Sequence, residues 1–519
     1  MAVSRRAFLK ASGMFALQTR AAETGVVVND IHSQLNPTRV SEIASISSTS
    51  DLERAIRRAD TARQAVSIAG GRHAMGAQQF ADSSMMLDMT RFNRVRSLDR
   101  GTGIVDVESG IMWPALVDYL LKAQQGKQPA LSAVEGPALS GVEGPALSGA
   151  EGPALSGVEG WGIAQKQTGA DRLTIGGALA ANVHGRGLKM KPFIADVESF
   201  VLVDARGESR TCSRTENVEL FRLAIGGYGL FGAISTVKLR LVPRQKIRRV
   251  VEVRMVDDLP KAFEQRIADG FTFGDFQFAV DEKSDDFLRK GVFSCYRPVD
   301  ASTPMPDAQR ELGDEDWHAL LLLAHNSKTT AFDQYSKYYL STSGQLYWSD
   351  THQMSTYLDD YHTRLDKQLG VTSRATEMIT EIYVPRPALP SFMAEVAATF
   401  RTNGVPIVYG TVRLIEQDDE SVLAWAKQPY ACIIFNLHVV HTPEGMERAG
   451  QAFRDLIDMG MKRGGRYYLT YHRHARRDQV EACYPQLPEF LRLKRKYDPQ
   501  ERFQSEWYRH YKKMFAERI

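Results

Sequence analysis

Ala65-Val66-Ser67-Ile68-Ala69-Gly70-Gly71-Arg72-His73-Ala74-Met75-Gly76 is the stretch on which the reading of the chain turns. Its apolar start reads as a short buried strand. The strand ends at Gly70-Gly71, where missing side chains let the backbone turn sharply. The turn then offers several backbone amides with little side-chain obstruction, which suits a diphosphate that needs donors on more than one side. Upstream, Ser50-Asp51-Leu52-Glu53 predicts a capping box, and Leu52, Ala55, Ile56, Ala59 and Ala62 follow at helical spacing. A helix therefore leads into the strand, and the strand into the glycine turn.

A second glycine cluster follows at Thr174-Ile175-Gly176-Gly177-Ala178-Leu179-Ala180-Ala181-Asn182-Val183-His184-Gly185. Its small residues allow a flat ring to approach closely, and the two clusters together point to a dinucleotide. Phe200 to Asp204 and Ser209 to Cys212 predict a hairpin around Ala205-Arg206-Gly207-Glu208. Glu216 to Ala224 reads as a helix, and Val237, Leu239 and Leu241 alternate with Lys238 and Arg240 in a half-exposed strand. Between them lies Gly227-Tyr228-Gly229-Leu230-Phe231-Gly232, literally the G-x-G-x-x-G of nicotinamide-binding folds. Such a fingerprint follows a strand and opens a helix, whereas this one follows a helix and enters a strand, so a nicotinamide site is rejected.

A boundary is expected near Pro243. Residues 246–477 carry strands of their own, such as Glu381-Ile382-Tyr383-Val384 and Ala431-Cys432-Ile433-Ile434-Phe435. A long amphipathic helix with Met446, Ala449, Phe453, Leu456 and Ile457 on one face is expected to cover a sheet. Tyr467-Tyr468-Leu469-Thr470-Tyr471-His472-Arg473-His474-Ala475-Arg476-Arg477 brings aromatic, imidazole and guanidinium groups together, or is an ordinary basic strand edge.

The two glycine clusters resemble the FAD-binding domain of the vanillyl-alcohol oxidase family, the PCMH-type fold, over residues 35–245. The resemblance is nearest to alditol, aldonolactone and decaprenylphosphoryl-ribose oxidase-like members. It implies an α+β protein: an FAD-binding domain of two α+β subdomains, then a substrate domain (246–477) with an antiparallel sheet covered by helices. The segment 478–519, with Lys496-Tyr497-Asp498-Pro499 resembling the family's closing motif, would return to the FAD domain. It implies FAD as cofactor, held in the first loop by Ala69, Gly70, Gly71, Arg72, His73, Ala74, Gly76 and Gln78. Gly169, Thr174, Gly176, Gly177, Asn182, His184 and Gly185 would follow from the second region. Gly229, Gly232 and Ile234 would border the adenine part. His73 stands where the family often bonds a histidine to the 8α-methyl of the isoalloxazine; the other reading is a hydrogen-bonding loop residue. A second flavin bond is not expected, because Gln165-Lys166-Gln167-Thr168-Gly169-Ala170 stands where doubly attached relatives carry a cysteine.

Oxidation of an alcohol carbon needs hydride delivery to flavin N5 and an acceptor for the hydroxyl proton. Thr411-Val412-Arg413 resembles the alditol oxidase strand that offers an acid and an arginine; Arg413 matches, but Thr411 replaces the acid, which puts polyol chemistry in doubt. Catalytic candidates are Glu381, Arg413, His438 and Tyr471, with Asn436 and His472 beside them, and each is equally readable as a satisfied polar residue on a sheet. The expectation is an FAD-dependent oxidoreductase acting on a small hydroxylated substrate such as a sugar, polyol or lactone. The alternatives are a dehydrogenase that passes electrons to a quinone or cytochrome, and a non-catalytic FAD-binding protein.

The bulk properties agree with a multi-domain globular chain. At 519 residues it exceeds what one core usually organises. Hydrophobic residues make up 43% and charged residues 24%, and the net charge of +3 gives no reason to expect a nucleic-acid partner. Cys212, Cys295, Cys432 and Cys483 lie far apart, read as buried thiols, and predict no metal site. Ser4-Arg5-Arg6-Ala7-Phe8-Leu9-Lys10 matches the twin-arginine pattern, so residues 1–24 are expected to direct export to the periplasm; a basic tail on a cytoplasmic protein is the other reading. Residues 129–160 repeat an octad, Pro129-Ala130-Leu131-Ser132-Ala133-Val134-Glu135-Gly136, in four copies. Eight residues with Pro and Gly in each copy give no room to helix or strand, so the repeat reads as a loop insertion.

Overall fold

The computed structural model of the chain describes residues 25–124, 160–355, 358 and 360–519. The twin-arginine stretch and all but the last residue of the octad repeat lie outside the described residues. The chain mixes helices and sheets, and three sheets carry the architecture.

The smallest is a parallel sheet of three strands, with Met85–Asp88 between Glu42–Ser45 and Val66–Ala69. The helix Thr49–Thr61 connects its two outer strands and buries Leu52, Ala55, Ile56 and Ala59. Its cap is Ser48, earlier than the capping box expected at Ser50: the Ser48 side chain accepts from the Asp51 amide. Ser47 fixes the same turn by donating to Asp51 at 2.6 Å, and Glu53 is drawn away to accept from Ser209 at 2.9 Å.

A five-stranded antiparallel sheet follows, in the order Ser209–Ser213, Val197–Val203, Ala233–Arg240, Ile104–Glu108, Val95–Asp99. Its first two strands are the expected hairpin. The helix Val218–Ala224 precedes the glycine pattern at 227–232 and the strand Ala233–Arg240 follows it, the reverse of a Rossmann fingerprint.

The third sheet has eight antiparallel strands, in the order Leu346–Trp348, Lys246–Met255, Lys290–Pro298, Phe273–Phe278, Ile407–Ile415, Tyr430–Val440, Ala375–Pro385, Arg466–Tyr467. The helix Pro443–Met461 packs on one face, where Ile382 lies against Gly460. Met446, expected on the apolar stripe, is exposed in the first turn of this helix, and the stripe begins at Ala449. Because side chains alternate along a strand, residues one position away from Ile382, among them Glu381, point to the other face.

The C-terminal segment docks on the first sheet: the Val66 amide donates to the Arg502 carbonyl at 2.7 Å, and Gln504 N donates back to Val66 at 2.8 Å. Among the described residues no helix is long and apolar enough to cross a membrane.

The described residues on either side of the repeat meet. Gln124 ends the helix Trp113–Gln124, and its side-chain amide donates to the Trp161 carbonyl at 2.9 Å and accepts from the Trp161 amide at 2.7 Å. The flanks are thus already joined without the intervening chain. Removing residues 129–159 is expected to leave flavin content unchanged and Tm within roughly 2 °C of the parent. Absorbance and a thermal melt test this; loss of half the flavin would show that the repeat supports the site.

Candidate active site

The strand Val66–Ala69 delivers Gly70 and Gly71 against the second glycine cluster. A Cβ on Gly70 would lie 2.2 Å from Thr174 Oγ1, and one on Gly71 2.0 Å from the Arg172 carbonyl oxygen. The loops therefore lie flush, and only glycine permits it at either position. Thr174 caps the helix Ile175–Ala181 by accepting from the Gly177 amide, and the Gly176 amide donates to the Ser109 carbonyl at 2.8 Å. Gly76 is pinned in turn to the C-terminal stretch: its amide donates to the Thr470 carbonyl at 3.2 Å, while the Gln78 side chain donates to Leu469 at 2.9 Å.

These loops form one side of a cavity of about 980 Å³, near the upper end for small-molecule and cofactor sites. Of the expected cofactor residues, Gly70, Gly71, Arg72, His73, Ala74 and Gln78 line it from the first loop. Gly169, Thr174, Gly176 and Gly177 line it from the second region, and Gly229, Gly232 and Ile234 from the third. Ala69, Gly76, Asn182, His184 and Gly185 stand outside the lining. Asn182 instead ties the second loop to the segment after the strand Ile407–Ile415, donating to Asp418 at 2.9 Å, and accepts from the Ile194 amide at 2.9 Å.

The opposite wall is one face of the eight-stranded sheet. Ile379 pairs with Asn436 and Thr411 with both Ile434 and Gln277, so alternate residues of four strands point the same way. Asp275, Gln277, Tyr409, Arg413, Ile434, Asn436, Ile379 and Glu377 all reach the cavity from this face. At its far end Arg186 lies 3.7 Å from Asp275 and over the Tyr296 ring, while Arg249 donates to the Tyr296 hydroxyl at 2.8 Å. This cationic and aromatic end was not anticipated. Arg186 directly follows His184-Gly185 and could have been read from that neighbourhood, whereas Arg249 and Asp275 look like ordinary polar positions of alternating strands.

Tyr471 lines the cavity and its hydroxyl donates to Glu381 Oε2 at 3.1 Å. Glu381 and His184 are both fully buried behind it, with His184 Nε2 2.6 Å from Glu381 Oε1. His184 Nδ1 is 3.1 Å from the Gly185 carbonyl and so carries the proton donated there, which leaves one proton shared between Nε2 and Glu381. Burial, reinforced by the Glu381 charge, pushes the Tyr471 hydroxyl well above its ordinary range. Arg413 and Tyr471 thus face the cavity, and Glu381 sits one layer beneath. His438 lies on the cavity-side face of the sheet but outside the lining, 3.8 Å from Glu377. His472 is buried and stacks on His474, away from the cavity.

His73 lines the cavity beside Gly71. Burial first, then the charges of His32, Arg172 and Lys166, pushes its pKa down to about 3, so the imidazole is neutral at physiological pH.

Residues 40–150 match the family described as FAD binding domain. L-gulono-1,4-lactone dehydrogenase of Mycobacterium tuberculosis (strain ATCC 25618 / H37Rv) is 25% identical over 429 residues, covering 82% of this chain and 85% of the relative. Cytokinin dehydrogenase 4 of Oryza sativa subsp. japonica is 32% identical over 152 residues, 26% of this chain and 27% of the relative. The putative D-arabinono-1,4-lactone oxidase of Neurospora crassa (strain ATCC 24698 / 74-OR23-1A / CBS 708.71 / DSM 1257 / FGSC 987) is 27% identical over 197 residues, 38% of this chain and 28% of the relative. The residues present fit a dinucleotide: the cavity is walled on one side by glycine backbone, and a Cβ added at Gly169 would meet nothing within 4 Å.

Proposed function

We propose that this chain, an FAD-dependent oxidoreductase with a PCMH-type FAD-binding domain, oxidises a hydroxyl-bearing carbon of a small lactone- or sugar-like substrate held between the glycine loops and the eight-stranded sheet. The three- and five-stranded sheets are then the two halves of the FAD-binding part, and the eight-stranded sheet belongs to the substrate part. The observation that carries this is the cavity itself, with glycine backbone on one wall and hydrogen-bonding side chains on the other. FAD supplies the two-electron acceptor.

The chain's own residues orient the substrate. Arg413 and Asn436 offer donors to its oxygens from neighbouring strands. The Tyr471 hydroxyl proton is committed to Glu381, so its oxygen is left to accept from the substrate hydroxyl and aim the reacting carbon. Glu381 never reaches the cavity and acts through Tyr471 as a positioning residue, its own orientation fixed by His184. The names of the two lactone-acting relatives support the substrate class. Anaerobic mixing with aldonolactones, free sugars and alditols tests it: a lactone or sugar is expected to bleach the flavin absorbance, and none doing so would refute the reading. Reoxidation by air against reoxidation by a quinone then separates an oxidase from a dehydrogenase.

His73 is proposed to hold the flavin covalently. Attachment needs a neutral imidazole nitrogen as nucleophile toward the 8α carbon, and the surroundings of His73 keep it neutral. The denatured protein is expected to fluoresce as a band on a gel, whereas His73→Ala releases its flavin on denaturation. A dark wild-type band from a yellow protein would mean that FAD is held without a bond.

A further inference from the structure

At the edge of the cavity one carboxylate is surrounded by imidazoles. Glu377, on the strand Ala375–Pro385, pairs directly across from His438 on the strand Tyr430–Val440, so both project from the cavity-side face. His325 reaches them from the last turn of the helix Asp314–Asn326. His325 Nε2 is 3.3 Å from Glu377 Oε1, and His438 Nδ1 is 3.8 Å from the same oxygen. All three atoms are buried, and none makes an aligned hydrogen bond. Buried polar atoms left in this state are costly, and three of them converging on one point require an explanation.

The outer atoms of His325 and Glu377 are already engaged. His325 Nδ1 is 2.8 Å from the Leu321 carbonyl, which places its proton there and leaves a lone pair on Nε2. The second Glu377 oxygen accepts from the Tyr361 hydroxyl and faces His362 Nδ1 at 3.1 Å. Each of these two groups is therefore fixed from behind with its free lone pair turned inward. A tetrahedral ion with bonds of roughly 2.0–2.1 Å has its ligand atoms about 3.3 Å apart, close to the separations seen. The His184, Glu381 and Cys432 group is comparably compact, but its histidine and glutamate already satisfy each other at 2.6 Å, so it is not a competing site.

We propose that His325, Glu377 and His438 bind a divalent transition-metal ion at the cavity wall, with the remaining coordination open to water or a substrate oxygen. Two histidines and one carboxylate with an open position form the ligand set of Zn²⁺ and Fe²⁺ sites. The ion also has a mechanical consequence. The helix Asp314–Asn326 buries no residue fully, yet its Trp317 and Leu321 line the cavity. Through His325 the ion would tie this loosely packed helix to the sheet and complete the cavity wall.

The test uses the flavin-loaded protein stripped with chelator and dialysed. Zn²⁺ titration followed by elemental analysis is expected to give one equivalent bound, a raised Tm, and slower hydrogen exchange in residues 314–326. Co²⁺ in place of Zn²⁺ is expected to give intense visible d–d bands to the red of the flavin absorbance. Glu377→Gln and His438→Gln should each weaken Zn²⁺ binding by at least roughly 100-fold, with the flavin spectrum reporting that the variants are folded. Failure of the wild type to take up an equivalent of either ion, or uptake undiminished in both variants, overturns the proposal. Should a variant lose its flavin, the wild-type Co²⁺ spectrum decides alone: intense bands support the site and their absence overturns it.

Discussion

Replacing Gly71 with alanine is expected to strip the flavin from a protein that still folds. The added Cβ would stand 2.0 Å from the Arg172 carbonyl oxygen, which is backbone and cannot rotate away. The first loop must lift off the second, or Arg172 must drag Thr174 and the helix cap with it. Overpacking of this kind costs about 1–3 kcal/mol in a core, where neighbouring side chains can share the strain. Here the strain falls on the two loops that wall the side of the cavity proposed to hold the cofactor. Each ~1.4 kcal/mol lost in binding is a factor of ten in affinity, so the non-covalent loading that must precede any bond to His73 should weaken roughly tenfold or more, and flavin content should fall with it. Gly464→Ala provides the control. Gly464 has φ +70° and nothing within 4 Å of its Cβ, so alanine there meets only backbone strain, outside the cavity lining. That variant should keep its flavin while melting earlier. If Gly71→Ala retains full flavin content, the contact between the two loops is not what holds the cofactor.

The same contact shows why this part of the chain was legible in the sequence. Gly70, Gly71 and the run at 174–185 owe their composition to close approach, and close approach leaves small residues in clusters that a reader can see. The hairpin at 197–213 was legible for a similar reason, since a short turn dictates its own chemistry. The order of the eight-stranded sheet was not. Its neighbours lie far apart in the chain, as where Phe273–Phe278 pairs with Ile407–Ile415, and nothing local to either strand names its partner.

The cavity-facing side of the eight-stranded sheet follows from alternation, but the depth of each residue does not. Alternation along Ala375–Pro385 puts Glu377, Ile379 and Glu381 on one face, the one turned toward the cavity. How far each residue sits from the cavity depends on the turn at Tyr468–Tyr471, which covers Glu381 and leaves Glu377 at the wall. Arg249 escaped notice because a buried arginine in an alternating strand reads as an exposed one until its partner Tyr296 is brought in from another strand, whereas Arg186 sits in the loop after the second glycine cluster and shows its role only once Asp275 is beside it.

That depth sets the expected behaviour of Glu381→Gln. Glutamine keeps the shape and can still accept from Tyr471, but it cannot share a proton with His184 Nε2 as the carboxyl does at 2.6 Å. The flavin should remain bound, because neither Glu381 nor His184 lines the cavity. Reduction of the flavin by substrate should slow by roughly 10²-fold or more, the scale of a misplaced hydrogen-bonding group at a reacting centre, with KM changed far less than kcat. Glu381→Ala is a different experiment: it leaves His184 and Tyr471 buried without their partner, at a cost of about 3–5 kcal/mol of stability. Tyr471→Phe removes the hydroxyl through which Glu381 is proposed to act. If the two residues work as one unit, Tyr471→Phe and Glu381→Gln should each slow reduction to a similar degree, and the double variant should be little slower than either alone. Additive losses in the double variant would show that Glu381 reaches the reaction by another route and that the chain from substrate to Tyr471 to Glu381 is wrong.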